Sequence, residues 1–336
     1  MSTATPVPET HCLQSEGPWT TLRDHGGWEL VKESFIRMRY ADGFSHSRAL
    51  AFQITLAFIP FLVAIEGFAA VFHKYQFGQI IEQSLRLLTP GAADSVVKTA
   101  GAQAAQAGND GAVPALVLGL VASLVSIATA LGQIERGANR IYGVEQDRPG
   151  VKKYGLATVL GVVASTMLVV ALALLVAGAA VGQTLQRQPG WGRDVASAWT
   201  VARYPLGVLI AVGVFAVLFR IAPRRQQPST SWLLLGSGVS VTLWLVTTGG
   251  LALYVDHSRG FGTIYGPLTG MMALLLWSLM SSISLFLGLA FAAQLESFRA
   301  GVTEPVDDEK AEGQVEADDD GPAREDQPPV PVASRS

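Results

Sequence analysis

Charged side chains are scarce in this 336-residue chain, and their scarcity argues against a soluble fold. Asp, Glu, Lys and Arg make up 15% of the residues, whereas hydrophobic residues make up 49%. Soluble domains carry about 25% charged residues. The deficit is deepest between Arg259 and Glu296, where 36 consecutive residues carry no charge. Such a run is too long for a buried helix of a soluble domain, so the composition predicts a polytopic membrane protein.

Cysteine and clustered histidine are also lacking, and their absence removes several kinds of site. The single cysteine, Cys12, excludes an intramolecular disulfide and any CxxC motif. The five histidines are scattered singly, and HExxH, GxSxG and P-loop sequences are absent. A metal-dependent nuclease needs clustered His and Asp to hold its ions. We therefore predict a protein that is not an enzyme, with no cofactor, no metal and no nucleic-acid partner.

Six apolar runs are long enough to cross a bilayer. A helix needs about 20 residues to span a hydrocarbon core of ~30 Å. The predicted fold is therefore all-α, a polytopic helical membrane protein with six transmembrane helices in a membrane domain at 46–300. The spans are expected at about residues 49–72, 112–131, 156–182, 205–222, 232–254 and 265–292.

The segments outside the spans are predicted from their composition. Residues 1–25 have few periodic apolar residues and are expected to be disordered. Residues 26–45 carry apolar side chains at helical spacing together with Lys and Arg, a pattern typical of an amphipathic helix on an anionic membrane surface. A helix packed on a partner domain is the alternative. Residues 73–111 form the largest insertion between spans, and 301–336, with eleven Asp or Glu, form an acidic, disordered tail.

The distribution of Lys and Arg predicts the orientation. Of the 24 Lys and Arg residues, 17 flank one side of the six spans and 7 flank the other. The positive-inside rule places the richer side in the cytoplasm. Both termini are therefore expected to be cytoplasmic, and the 73–111 insertion is expected to lie outside.

Four stretches in a fixed order carry a resemblance to a known family. They are SRALAFQITLAFIPFLVA, IYGVEQDRPGVKKYG, RIAPRR and TIYGPLTGMMALLLWSLMSSISLFLG. Over about residues 28–298 the chain resembles the YihY/virulence factor BrkB family of six-span bacterial inner-membrane proteins, once named ribonuclease BN. The resemblance implies a multi-pass protein of the bacterial cell inner membrane. Transport and envelope roles have been suggested for the family.

The chain departs from the family pattern in two spans. Phe52 and Gln53 stand where members commonly have a tyrosine-rich pattern. Span six of the family often closes with Gly-Ala-Glu-Leu-Asn, whereas here Gly288 is followed by apolar residues. This comparison puts Ala290 and Ala292 at the acidic and amide positions, so any shared activity that uses those groups is expected to be lost.

A transport path is predicted from the polar and helix-breaking residues of spans one and six. Glu66 is an acidic residue inside an apolar run, and Pro60 leaves a helix carbonyl without its usual donor. The path is expected to include Glu66, Pro60, Gln53, Tyr265, Gly266 and Gly270. The alternatives are a Glu66 at the outer interface, a Pro60 that only kinks its helix, and a Gln53 that joins two helices.

The basic loop after span two is predicted to contact anionic lipid headgroups through Arg140, Arg148, Lys152 and Lys153. The sequence thus favours a transporter-like or envelope-associated protein in a lipid bilayer, without catalysis. A scaffolding membrane protein that binds partners through its outer helices and acidic tail is the alternative, and a membrane-bound ribonuclease is a third. The solute is open, and so is a homo-oligomeric state.

Overall fold

The computed structural model describes residues 3–10, 17–71, 108–150, 154–155, 158–159, 161, 192–257 and 268–306. These residues form seven helices, besides scattered helical positions between 150 and 161, and no strand beyond an isolated bridge between Ala4 and Val306. The helices are α1 (Pro18–His25), α2 (Gly27–Tyr40), α3 (Gly43–Val71), α4 (Gly108–Ile141), α5 (Gly192–Ile221), α6 (Thr230–His257) and α7 (Thr269–Arg299). The all-α prediction is confirmed for this part of the chain.

Five of these helices are long and apolar enough to cross a membrane. The apolar segments are Gly43–Ala64, Leu116–Ile141, Ser197–Ile221, Thr230–Val255 and Thr269–Arg299. They correspond to predicted spans one, two, four, five and six. The third predicted span, 156–182, lies almost wholly outside the described residues, as does most of the 73–111 insertion.

Helix α7 is the centre of the bundle. It packs on α6, α3, α2 and α4, while α3 also packs along α4 and α5 packs along α6. All residues from Gly288 to Phe298 are buried. A helix that is covered on every side needs partners around its whole circumference. Because this covered stretch includes Gln294, Glu296 and Ser297, it also carries polar groups that need hydrogen-bond partners.

Helices α6 and α7 cross at a pair of glycines. A Cβ atom added to Gly236 would lie 2.7 Å from the carbonyl oxygen of Gly288, and a Cβ atom on Gly288 would lie 2.7 Å from the carbonyl oxygen of Gly236. Only residues without a side chain allow two backbones this close. Gly238, two residues further along α6, has no atom within 4 Å of its would-be Cβ and so makes no such contact.

The amino-terminal region differs from its prediction. Within 1–25, residues 3–10 are described as an extended segment and α1 begins at Pro18. Proline suits the first turn of a helix because its φ angle is fixed near helical values and it needs no hydrogen-bond donor there. The extended segment has no local signal, since its backbone hydrogen bonds go to distant parts of the chain.

The predicted interfacial helix at 26–45 is shorter in the structure. Helix α2 ends at Tyr40, and α3 begins at Gly43 after Asp42, which has a φ angle of 56°. One face of α2 packs on α7. The opposite face leaves Trp28 and Phe35 exposed, as expected for a helix at a membrane surface.

Candidate functional site

Buried charged side chains gather where α2, α4 and α7 meet at one end of the bundle. We call Arg37, Tyr142, Arg225, Gln294 and Glu296 the charged cluster. Arg37, Gln294 and Glu296 are 0% exposed, Tyr142 is 1% exposed, and the side chain of Arg225 is 3% exposed. Ionised groups are rarely buried this fully unless they are paired or hydrogen-bonded.

Arg37 is held by neutral acceptors. Its Nε donates to Gln294 Oε1 at 2.6 Å, and its guanidinium also reaches the carbonyl oxygens of Thr5 (2.8 Å) and Ile141 (3.2 Å) and the hydroxyl of Ser297 (3.4 Å). Burial lowers the pKa of Arg37 to about 10. The guanidinium therefore remains cationic at neutral pH, and it ties α2 to both α4 and α7.

Arg225 and Glu296 form a buried ion pair. Arg225, from the loop after α5, places its guanidinium nitrogen 2.7 Å from Glu296 Oε1. The same carboxylate oxygen accepts from the hydroxyl of Thr10 at 2.9 Å and from its backbone N–H at 3.4 Å. The Arg225 guanidinium also lies 4.6 Å from the centre of the Tyr142 ring. Burial raises the pKa of Tyr142, so the phenol stays neutral beside the ion pair.

Gln294 joins this cluster to the segment that follows α7. Its Nε2 donates to Glu33 Oε2 and to the carbonyl oxygen of Thr303, both at 2.9 Å. Partial burial raises the pKa of Glu33 in spite of this hydrogen bond. Two arginines thus face two carboxylates, and Gln294 connects Arg37 to Glu33 through its two amide atoms.

Residues 3–10 cover the charged cluster, and we call this extended segment the strap. Its N–H groups donate to carbonyl oxygens elsewhere: Thr3 to Tyr40 at 3.3 Å, Thr5 to Pro305 at 3.1 Å and Val7 to Tyr142 at 3.1 Å. Arg225 donates to the carbonyl oxygens of Val7 and Pro8, both at 3.2 Å. The buried arginines therefore bind the strap through its main chain.

Inside the bundle, four hydrogen bonds join uncharged polar side chains of neighbouring helices. The pairs are Gln53 with Thr129 at 3.0 Å, Thr55 with Ser278 at 3.4 Å, Trp244 with Ser281 at 3.1 Å and His46 with Gln133 at 2.8 Å. We call these four the membrane pairs. Polar groups in an apolar bundle hydrogen-bond across helices because lipid offers them no partner.

The structure places only part of the predicted path. Gln53 belongs to a membrane pair, Pro60 is half-buried within a continuous α3, and Gly270 is buried in the first turn of α7. Gly270 lies eight residues before Ser278, so it is about 12 Å further along the bundle than the Thr55–Ser278 contact. The Glu66 side chain lies outside the described residues, as do Tyr265 and Gly266.

Two of the four predicted lipid-binding residues are described. Arg140 donates to the carbonyl oxygens of Val144 (3.2 Å) and Glu145 (2.8 Å). Arg148 donates to three carbonyl oxygens at the end of α5, those of Ile221, Ala222 and Pro223, at 2.8 to 3.1 Å. Its guanidinium thereby satisfies carbonyls that the helix end leaves without donors. Lys152 and Lys153 lie outside the described residues, and headgroup contact by all four stays a prediction.

The charged cluster was missed by the sequence analysis, although two signals mark it. Arg37 follows Leu30 and Ser34 at helical spacing and precedes Met38, so it lies on the buried face of α2. On α7, Gln294, Leu295 and Glu296 have the polar-Leu-polar order of the family pattern.

Counted from Gly288, the family pattern places its polar positions at Ala290 and Ala292, and a register four residues later is the alternative. Ala290 and Ala292 are buried in apolar surroundings. In the alternative register, which aligns Ala293 and Leu295 with the alanine and leucine of the family pattern, an amide and an acid stand in exchanged order at Gln294 and Glu296. The described residues contain no group of three or more His, Cys, Asp or Glu that could hold a metal ion.

Long apolar helices with neutral interhelical pairs inside and charges at one end define a multi-pass helical membrane protein. More narrowly, the chain belongs to the family described as Virulence factor BrkB, whose match covers residues 34–314.

Three relatives show how far the similarity extends. A protein of Bacillus subtilis (strain 168) named ribonuclease-like protein YfkH is 26% identical over 262 residues, which are 77% of this chain and 92% of that protein. UPF0761 membrane proteins of Xanthomonas campestris pv. campestris (strain B100) and Xanthomonas oryzae pv. oryzae (strain PXO99A) are 25% and 24% identical over 276 residues, or 79% of this chain. The match spans 60% of the length of each Xanthomonas protein. No solved structure matches the chain significantly.

Proposed function

We propose that this is a six-span protein of the bacterial inner membrane, with both termini in the cytoplasm, that conducts a small polar solute or a proton without catalytic chemistry. The observation that supports conduction is a polar seam between α3 and α4. His46, Gln53 and Pro60 follow one another at seven-residue steps along α3, and the first two bond to Gln133 and Thr129 of α4.

The other half of this seam is tightly packed. A Cβ atom added to Gly67, the next residue in the seven-residue series, would lie 2.7 Å from the backbone nitrogen of Leu116. A Cβ atom added to Gly119 would lie 2.6 Å from the backbone nitrogen of Ala64. The proposed path is therefore polar from His46 to Gln53. Beyond Pro60, towards Glu66, the two helices are in contact and have to separate for conduction.

The proposal of six spans rests on where the described helices end. The loop after α4 and the loop after α5 lie side by side, because Arg224 N–H donates to Asn139 Oδ1 at 2.7 Å and Arg148 binds the end of α5. Helix α5 starts at Gly192, 29 residues earlier and thus about 43 Å away along its axis. The chain between the loop after α4 and Gly192 must therefore cover about the length of α5. The 33 uncharged residues at 154–186 are long enough to do so.

Thiol accessibility tests the path without knowledge of the solute. In a Cys12→Ser background, we expect Gln53→Cys and Thr129→Cys to react with a membrane-impermeant thiol reagent in proteoliposomes, because water reaches the seam. Val125→Cys is the matched control, since Val125 is 59% exposed on the outside of α4 one turn away. Absence of labelling at both seam positions, or equal labelling of the control, contradicts the path.

Proton flux gives a second test. We expect Pro60→Ala and Glu66→Gln to lower the dissipation of an imposed pH gradient in liposomes without reducing membrane insertion, since both changes alter the proposed path. Unchanged flux in both variants would remove these residues from the path. Scaffolding through the acidic tail is the second candidate, and deletion of 307–336 separates the two because a carrier tolerates that loss.

A further inference from the structure

The strap is held in a groove made by the ends of four structural elements. Val7 donates its N–H to the carbonyl oxygen of Tyr142 after α4, and Thr5 donates its N–H to Pro305 after α7. Arg37 of α2 donates to the Thr5 carbonyl, and Arg225 after α5 donates to the carbonyls of Val7 and Pro8. We call these surroundings the strap groove.

The groove contacts mainly atoms that any peptide possesses. Along residues 5–10 the hydrogen bonds involve a backbone N–H or a carbonyl oxygen of the strap, apart from the hydroxyl of Thr10 and the carboxylate of Glu9, which accepts from the N–H of Gln226 at 3.1 Å. The side chain of Val7 is buried in the core. The side chains of Pro6, Pro8 and Glu9 are exposed. The strap is therefore bound in the way that extended peptides are bound when main-chain hydrogen bonds supply the affinity and a few pockets supply the selectivity.

Two features fit the groove to an extended, proline-containing segment. Pro6 and Pro8 fix their own φ angles and favour extended conformations, which lowers the entropy lost on docking. Gly143 has a φ angle of +72°, and a Cβ atom there would lie 2.6 Å from Cα of Pro6. The groove thus admits a peptide backbone at a distance that a side chain at 143 would prevent.

We infer that the strap groove is a binding site for an extended peptide recognised through its main chain, and that residues 3–10 are its exchangeable occupant. The two buried arginines are the groove's fixed donors, and Glu296 is its fixed acceptor for the N–H of residue 10. This inference concerns the charged end of the bundle and does not depend on conduction through the seam.

The chain provides its own reporter, because Cys12 is the single cysteine of the sequence and lies two residues after the strap. We expect release of the strap to raise the mobility of a nitroxide attached to Cys12, measured in detergent. Val7→Pro removes both the N–H that donates to Tyr142 and a side chain that is buried in the core, so it should release the strap and mobilise the label. Arg225→Gln should do the same, whereas Arg136→Gln, at an exposed arginine of α4, should not.

Peptide binding then tests the groove directly. We expect a fluorescein-labelled peptide of residues 3–10 to bind the Val7→Pro protein at least tenfold more tightly than the parent, whose groove is occupied. The same peptide N-methylated at residue 7 should bind that variant at least tenfold more weakly, and Arg225→Gln protein should bind neither peptide. A label as slow in Val7→Pro as in the parent, or no peptide binding to Val7→Pro, overturns the inference, whatever the conduction assays show.

Discussion

The middle of the bundle and its charged end both bury polar side chains, but they bury different kinds. The membrane pairs are all uncharged, whereas the end holds the Arg225–Glu296 ion pair and the guanidinium of Arg37. A charge at the bilayer centre is costly because no water or headgroup reaches it, and the cost falls towards the interface. Position along the bundle axis therefore decides which polar groups these helices tolerate.

The largest expected loss of stability comes from replacing Arg37, the buried cation with four neutral hydrogen-bond acceptors. Arg37→Leu leaves Gln294, Ser297 and two backbone carbonyls without their donor in a buried site, so we expect a loss of about 3–5 kcal/mol of stability. Thermal unfolding in detergent measures the loss. Arg39→Leu, at an exposed arginine two residues away, is the control and should change stability by less than about 0.5 kcal/mol.

A double-mutant cycle on the ion pair should give the next largest effect. We expect Arg225→Gln and Glu296→Gln to show a coupling energy of about 2 kcal/mol, because a hydrogen-bonded ion pair is buried at this end. Chemical unfolding of the two single variants and the double variant measures it. A coupling near zero would mean that the pair behaves like one exposed to water.

Two glycine substitutions in α6 test close helix packing without changing any polar group. Gly236→Ala adds a Cβ atom 2.6 Å from that of Ala292, so we expect a loss of about 1–2 kcal/mol from overpacking. Gly238→Ala adds its Cβ atom to open space and should stabilise α6 by about 0.5–1 kcal/mol through higher helix propensity. Unfolding midpoints that shift in the same direction for both variants would contradict the close helix crossing.

The smallest effect is expected for a membrane pair. A cycle of Gln53→Ala and Thr129→Ala should give a coupling of about 0.6 kcal/mol, the usual size for neutral hydrogen bonds between membrane helices. Reversible unfolding in bicelles or mixed micelles measures it. A coupling as large as that of Arg225 and Glu296 would show that polar groups cost the same free energy in both regions.

The two regions also differ in how much of their structure can be predicted from the sequence. Long uncharged runs predict spans directly, and five predicted spans coincide with described helices because a bilayer demands continuous apolar length. The charged cluster depends on contacts such as Arg37 with Gln294, which are 257 positions apart. No periodic pattern predicts which distant group a charge meets.

Boundaries were the weakest part of the span predictions. The first span was expected from residue 49, whereas α3 begins at Gly43, and its polar first turns are part of the helix: Ser47, for example, donates to the Gly43 carbonyl at 2.7 Å. A hydropathy profile contains no information about such hydrogen bonds. The predicted roles of Glu66, Tyr265 and Gly266 stay predictions.

The bridge between Ala4 and Val306 brings the two ends of the described chain to the same spot. Chains whose ends lie close together tolerate relinking, since a short connection can replace the original break without moving the core. A circular permutant that joins 306 to 3 and opens in a loop at the far end of the bundle should therefore keep the order of helix contacts. Such a molecule would cover the arginines with an internal crossing strand, tethered on both sides.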